Sequence, residues 1–200
     1  MGCAAPNPLH WQDLRRRRAQ DLLARRGVAP AAGGAGYELD FLDARYRIDP
    51  QAERVERLAP APGPPPSQEL QILLIRYLTA ELSGGLSGEL ISEKELPGGA
   101  TFFRGPHALP VGPLIERFGT DLDGFAARCR ALGATPADCG DRGYRLEPLA
   151  GLELIYGLWR ADEEFPAAAS VLLDRALARW FELDMIFLLI RQTSLALAAD

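Results

Sequence analysis

The sequence predicts an α+β domain whose antiparallel sheet is built from sequence-adjacent hairpins, and three stretches carry that prediction. Leu152, Leu154, Tyr156 and Leu158 fall on alternate positions, the two-residue period of a strand with one face on a core. Residues 68–82 put Leu70, Leu73, Leu74, Tyr77 and Leu78 on one helical face, widened by Ile72 and Ile75, as a central core helix requires. Residues 183–198 are apolar nearly all round at Met185 to Ile190, so this C-terminal helix packs against the sheet or against a second copy of the chain. Parallel βαβ winding is the alternative topology.

Pro8 to Gly27 reads as one peripheral helix, with Trp11, Leu14, Ala19 and Leu22 on one side and Arg15 and Arg18 in the same sector. Arg15 to Arg18 point all round such a helix and form no stripe, which favours a solvated face over a nucleic-acid patch. Val28 to Gly36 has linker composition, so positions 1–36 are expected to precede a single α+β domain over 37–200. Tyr37, Leu39 and Phe41, a turn at Asp43-Ala44, then Tyr46 and Ile48 make a hairpin, with a third short strand at Val55. Ala59 to Pro66 is a stiff surface connection, and Ser67 caps the central helix.

Glu89 to Glu95 is a polar strand running into Pro97-Gly98-Gly99, after which Thr101 to Phe103 returns as a strand. Two helices follow, about 110–118 and then to about 132 from a Thr120 cap. Tyr144 and Leu146 open a further strand. The hairpin from Leu152 to Asp174 is interrupted by Arg160 to Pro166, an acidic block ending in an aromatic residue and a proline. Glu182 and Asp184 then place negative charge where it suits the start of the last helix.

Composition excludes several classes. A net charge of −5 argues against a dedicated nucleic-acid binder, which needs a basic face. Cys3, Cys129 and Cys139 are odd in number and scattered, so neither a disulfide framework nor a zinc site is indicated, and a reducing cytoplasm is expected. The polar start leading into four arginines is unlike a secretory signal, and Pro6 interrupts the acylation pattern that Met1-Gly2-Cys3 would begin. The longest apolar run falls short of the ~20 residues of a membrane span, so no membrane partner is expected.

Nucleotide-binding glycine loops, zinc-protease, nucleophile-elbow and EF-hand motifs are all absent. With only His10 and His107, no multi-histidine metal site can form, and nothing in the spacing brings His107 to Cys129 or Cys139. Chemistry therefore rests on carboxylates and their aromatic neighbours. Asp162, Glu163 and Glu164 share one corner flanked by Trp159 and Phe165; Asp174 ends the returning strand; Glu89, Glu93 and Glu95 lie on the earlier one. If the two segments meet, the carboxylates could bind Mg²⁺ or Ca²⁺, raise one another's pKa for acid–base work, or hold a cationic ligand or arginine-rich partner. Alternatively they are solvated, or pair with Arg160, Arg175 and Arg179. Trp159 and Phe165 line a pocket or plug the end of the sheet.

Two segments, Ile91-Ser92 with Glu95-Leu96-Pro97-Gly98-Gly99, and Trp159 to Asp174 with Asp162-Glu163-Glu164-Phe165-Pro166, Ser170 and Leu172-Leu173-Asp174, resemble the signatures of a prokaryotic family, domain of unknown function 3786. The resemblance extends from about Tyr37 through the last helix. It implies no established activity. Some relatives carry a cysteine-rich iron–sulfur segment, which three cysteines cannot reproduce here. Glu93 stands where an aromatic is usual, Ala161 where glycine is usual, and Leu173 where phenylalanine is usual.

With no assembled catalytic set, the leading expectation is a non-enzymatic cytoplasmic binding or accessory domain with no resident cofactor. It would engage a partner protein or small ligand through Trp159, Asp162, Glu163, Glu164 and Phe165. The second is a carboxylate- or metal-dependent hydrolase or lyase using Asp162, Glu164, Asp174, Glu95 or His107, which requires those groups to converge. The third is a structural homodimer built on Met185 to Ile190.

Overall fold

A computed structural model describes residues 6–34 and 36–199; the Met1-Gly2-Cys3 pattern lies outside them. The class is α+β, with two antiparallel sheets where the sequence predicted one. The chain divides into two compact units. The first runs to Glu81 and takes in Leu149–Gly151; the second comprises Leu82–Pro148 and the residues from Leu152 onward.

In the first unit, the predicted N-terminal helix is broken in two. Helix α1 (Pro8–Arg16) is capped by Asn7, whose side chain accepts from the Leu9 N–H, and α2 (Ala19–Leu23) follows. The break falls at Arg17 and Arg18, both extended at ψ 141° and 132°. Side-chain bonds from Arg15 to the Pro50 carbonyl and Glu53, and from Arg18 to Asp21, hold the segment in place. Trp11, Leu14 and Leu22 are buried, so this segment is part of a core.

Part of the expected linker is strand β1 (Val28–Pro30), which pairs with β2 (Tyr37–Phe41); β3 (Ala44–Asp49) and β4 (Arg54–Ala59) complete a meander in the order β1-β2-β3-β4. The β2–β3 turn is Leu42-Asp43, one residue earlier than predicted, with Leu42 at φ 53°. Helix α3 (Gln68–Thr79) starts as expected, with Ser67 Oγ accepting from Leu70 N at 3.2 Å. It buries Leu73, Leu74, Ile75 and Leu78 and stops a turn early, at an extended Ala80.

In the second unit the sheet order is β5-β9-β8-β7-β6. The strands are β5 (Leu90–Ser92), β6 (Thr135–Ala137), β7 (Arg142–Leu149), β8 (Leu152–Trp159) and β9 (Ala168–Asp174). The predicted hairpin is β8–β9, in register from Leu154↔Leu173 to Trp159↔Ala168. Thr101 to Phe103 does not return as a strand. Helix α4 (Gly99–Phe102) forms there instead, because the chain reverses at Gly98 (φ 77°) and lays Gly99 against the Glu93 carbonyl, where a Cβ would clash.

Helices α5 (Gly112–Phe118) and α6 (Leu122–Ala131) follow. The cap of α6 is Asp121 rather than Thr120: Asp121 Oδ1 accepts from Gly124 N at 2.8 Å. After the short α7 (Leu177–Trp180), α8 (Leu183–Ala198) spends its apolar face inside the unit, burying Met185, Ile186, Leu189 and Ile190. Tyr156 of β8 donates from its hydroxyl to the Ile190 carbonyl at 3.0 Å, and burial raises its pKa. No helix among the described residues is long and apolar enough to cross a membrane.

Candidate functional site

The segment between β8 and β9 is built from the backbone outward. Trp159, the last residue of β8, pairs with Ala168 and is 38% exposed. The chain then crosses Arg160 to Ala167 and re-enters the sheet at Ala168. Asp162 organises this crossing. Its Oδ1 accepts from Glu164 N at 2.9 Å and Phe165 N at 2.7 Å, while its own N–H donates to the Phe165 carbonyl at 2.9 Å. An aspartate folding the amides of the second and third residues after it onto its own side chain is a local turn-former. The amides of Phe165 and Glu164 hold its carboxyl below the usual carboxylate range.

A third strand of chain supports the corner from the side. Gly140 bridges Leu158 in parallel, Asp141 N donates to the Leu158 carbonyl at 3.0 Å, and Asp141 Oδ2 accepts from Arg160 N at 2.9 Å. Glycine is required for this approach: a Cβ at Gly140 would lie 2.9 Å from the Leu158 backbone, and one at Gly157 would clash with Cys139 Sγ. From the helical side, Ala161 N donates to the Gly119 carbonyl at 3.3 Å.

The result is a cleft of ≈ 480 Å³ lined by Asp141, Trp159, Arg160, Asp162, Phe165, Pro166 and Ala168, within the roughly 300–1,000 Å³ common for ligand clefts. Phe165 is 66% exposed. Glu163 and Glu164 are exposed on the same turn just outside the cleft. Neither they nor Arg160 form a side-chain ion pair among the described residues; Arg175 pairs with Glu89 instead, and Arg179 donates to the Gly85 carbonyl.

The other predicted carboxylates are elsewhere. Strand β5 pairs with the Leu172–Asp174 end of β9, away from the corner. Six residue steps of about 3.3 Å along β9 separate Ala168 from Asp174, roughly 20 Å. Asp174 is 4% exposed, and its oxygens accept from Ser87 N and Oγ, Gly88 N and Ala176 N at 2.7–2.9 Å. Burial pushes its pKa up, but these bonds outweigh it and the carboxyl sits below its ordinary value. This carboxylate anchors the 83–89 loop and has no bonding capacity aimed at a ligand.

Glu89 and Arg175 form a two-pronged ion pair at 2.6 and 2.7 Å, and Glu95 accepts from the backbone and hydroxyl of Ser92, which lower its pKa. Glu93 is buried. His107 stacks on Phe102 at 4.7 Å and stands edge-on to Phe187 at 5.7 Å. Cys129 is fully buried, and desolvation pushes its thiol up to about 12. Among the described residues, no group of three or more His, Cys, Asp or Glu is placed to hold a metal ion. The convergence that carboxylate chemistry required is thus not what the fold brings together.

Two charged lining residues were not among the sequence's candidates. Asp141 sits after the short β6 and reaches the corner through a bridge that local pattern does not encode. Arg160 reads by sequence as an ion-pair partner for the acids, yet it forms no ion pair among the described residues and lines the cleft.

A family model described as a domain of unknown function (DUF3786) matches residues 20–194. No curated protein and no solved structure matches the chain.

Proposed function

The chain belongs to the DUF3786 family, and we propose that it is a binding or accessory domain engaging a partner protein or small ligand through the cleft between Trp159 and Ala168. Phe165 carries this reading. Its backbone is fixed at both N–H and carbonyl, yet the residue is 66% exposed. Leaving such a ring exposed forgoes roughly 1.5–3 kcal/mol of burial, which a bound surface would recover. A single exposed apolar residue is ordinary. Here a second aromatic residue, Trp159, lines the same cleft, together with Asp141, Asp162 and Arg160, none of which forms a side-chain ion pair among the described residues.

The test compares wild type with F165A and E163Q/E164Q, using the full chain as bait in extract of its own host. All three proteins are expected to melt alike, because these side chains make no internal contacts that folding needs, and the variants are expected to lose what the wild type retains. Retention by both variants, or a fall in melting temperature that accounts for the loss, contradicts the reading.

A further inference from the structure

Building on the reading of this cleft as a binding surface, we infer that its occupant is a basic peptide segment, whose arginine or lysine side chain lies against Trp159 and Phe165 while neighbouring basic residues meet Glu163 and Glu164. The rings supply the first part of the argument. Among the described residues neither stacks on another aromatic side chain, and the guanidinium seated over a ring is that of Arg117 on Phe118, not Arg160 on either cleft wall. Two exposed aromatic residues lining one cleft, neither engaged by another ring or by a cation among the described residues, offer a seat for a flat cation.

Charge decides the sign of the ligand. Asp141 spends Oδ2 on Arg160 N, and Asp162 spends Oδ1 on two amides, so each keeps one oxygen without a bond among the described residues. Glu163 and Glu164 keep both. Within the cleft lining Asp141 and Asp162 stand against Arg160, and Glu163 and Glu164 add two further carboxylates on the adjoining turn. An anionic ligand would meet one guanidinium and the repulsion of the rest; a cation meets free carboxylate oxygens and open rings together.

Geometry favours a segment over a free small cation. Glu163 and Glu164 are exposed on the same turn but do not line the cleft. A chain bearing several basic residues engages both places at once.

Fluorescence anisotropy of a labelled tetra-arginine peptide, with a labelled tetra-glutamate peptide as control, tests this on the full chain. Tetra-arginine is expected to bind at low ionic strength and to weaken in roughly 0.5 M salt; tetra-glutamate is expected not to bind. F165A leaves the charge unchanged, so it separates seating in this cleft from general attraction to an acidic protein. It is expected to weaken binding about tenfold, and E163Q/E164Q at least as much. Binding that neither variant changes, or equal binding of tetra-glutamate, overturns the inference. If tetra-arginine fails while capture from host extract still depends on Phe165, the cationic assignment alone falls. If neither depends on Phe165, the binding-surface reading falls with it.

Discussion

Asp162 and Phe165 clasp each other through the backbone: the Asp162 N–H donates to the Phe165 carbonyl at 2.9 Å, and the Phe165 N–H donates back to Asp162 Oδ1 at 2.7 Å. This clasp presents an aromatic ring to solvent on a fixed turn without packing the ring itself. Position is bought by the carboxylate, leaving the ring and the following acids free for a partner.

Asp162 therefore has a positioning role, distinct from that of its two acidic neighbours. D162A is expected to free the amides of Glu164 and Phe165, seen as faster hydrogen exchange at both, and to weaken tetra-arginine binding about as much as F165A. D162N keeps an acceptor oxygen and is expected to preserve the turn. Equal exchange rates in D162A and wild type would show that the clasp does not hold the corner.

Glu163 and Glu164 make no side-chain contact that folding uses. E163Q/E164Q is expected to leave the urea midpoint within error of wild type, since exposed charges away from partners contribute little to stability. A clear shift of the midpoint would assign them a structural role.

Asp174 is the contrasting carboxylate. D174A strands the amides of Ser87, Gly88 and Ala176 and the Ser87 hydroxyl, and is expected to cost roughly 3–5 kcal/mol in urea unfolding. A loss below about 1 kcal/mol would mean that the 83–89 loop finds water instead.

The pH dependence follows from the same group with Asp162, Glu89 and Glu95. Each has a folded pKa below its ordinary value. A depressed acid contributes stability that is fully present above its unfolded pKa, near 4, and is lost as pH falls through the folded value. Unfolding free energy is expected to stay level from about pH 7 to about pH 5 and to decline below about pH 4, with a shallower acid slope in D174A. A decline that begins near neutrality would contradict this assignment.

Gly157 links the sheet to the cleft. G157A drives a methyl into Cys139 Sγ and the Cys139 backbone, an overpacking expected to cost about 1–3 kcal/mol. Because Asp141 follows two residues later and bonds to Leu158 and Arg160, G157A is also expected to weaken tetra-arginine binding. C139A in the same chain is expected to restore part of the stability. No cost from G157A would show that the Gly140 segment is not seated on β8 as described.

The sequence made some of this legible for physical reasons. The β8–β9 hairpin announces itself because strict alternation puts one face of each strand in a core, and α8 because its apolar residues exceed what a surface helix carries. The helix at Gly99–Phe102 was hidden: two phenylalanines after a threonine read as strand, and only the packing of Gly99 against the Glu93 carbonyl decides otherwise. The corner's acids and rings were legible as a local block, whereas Asp141 was not, since Gly140↔Leu158 is a pairing between distant segments. The expected meeting of Glu89 to Glu95 with the corner depends on which end of β9 receives β5. The register Leu90↔Asp174 places it at the far end.

Amide NMR of the full chain during titration with tetra-arginine tests the central claim most directly. The expected result is a set of shifts confined to Asp141 and the stretch from Trp159 to Ala168, saturating together and absent in F165A. Shifts centred on another surface, such as Leu86 to Leu90 or the exposed Leu195 of α8, or the same shifts in F165A, would contradict it.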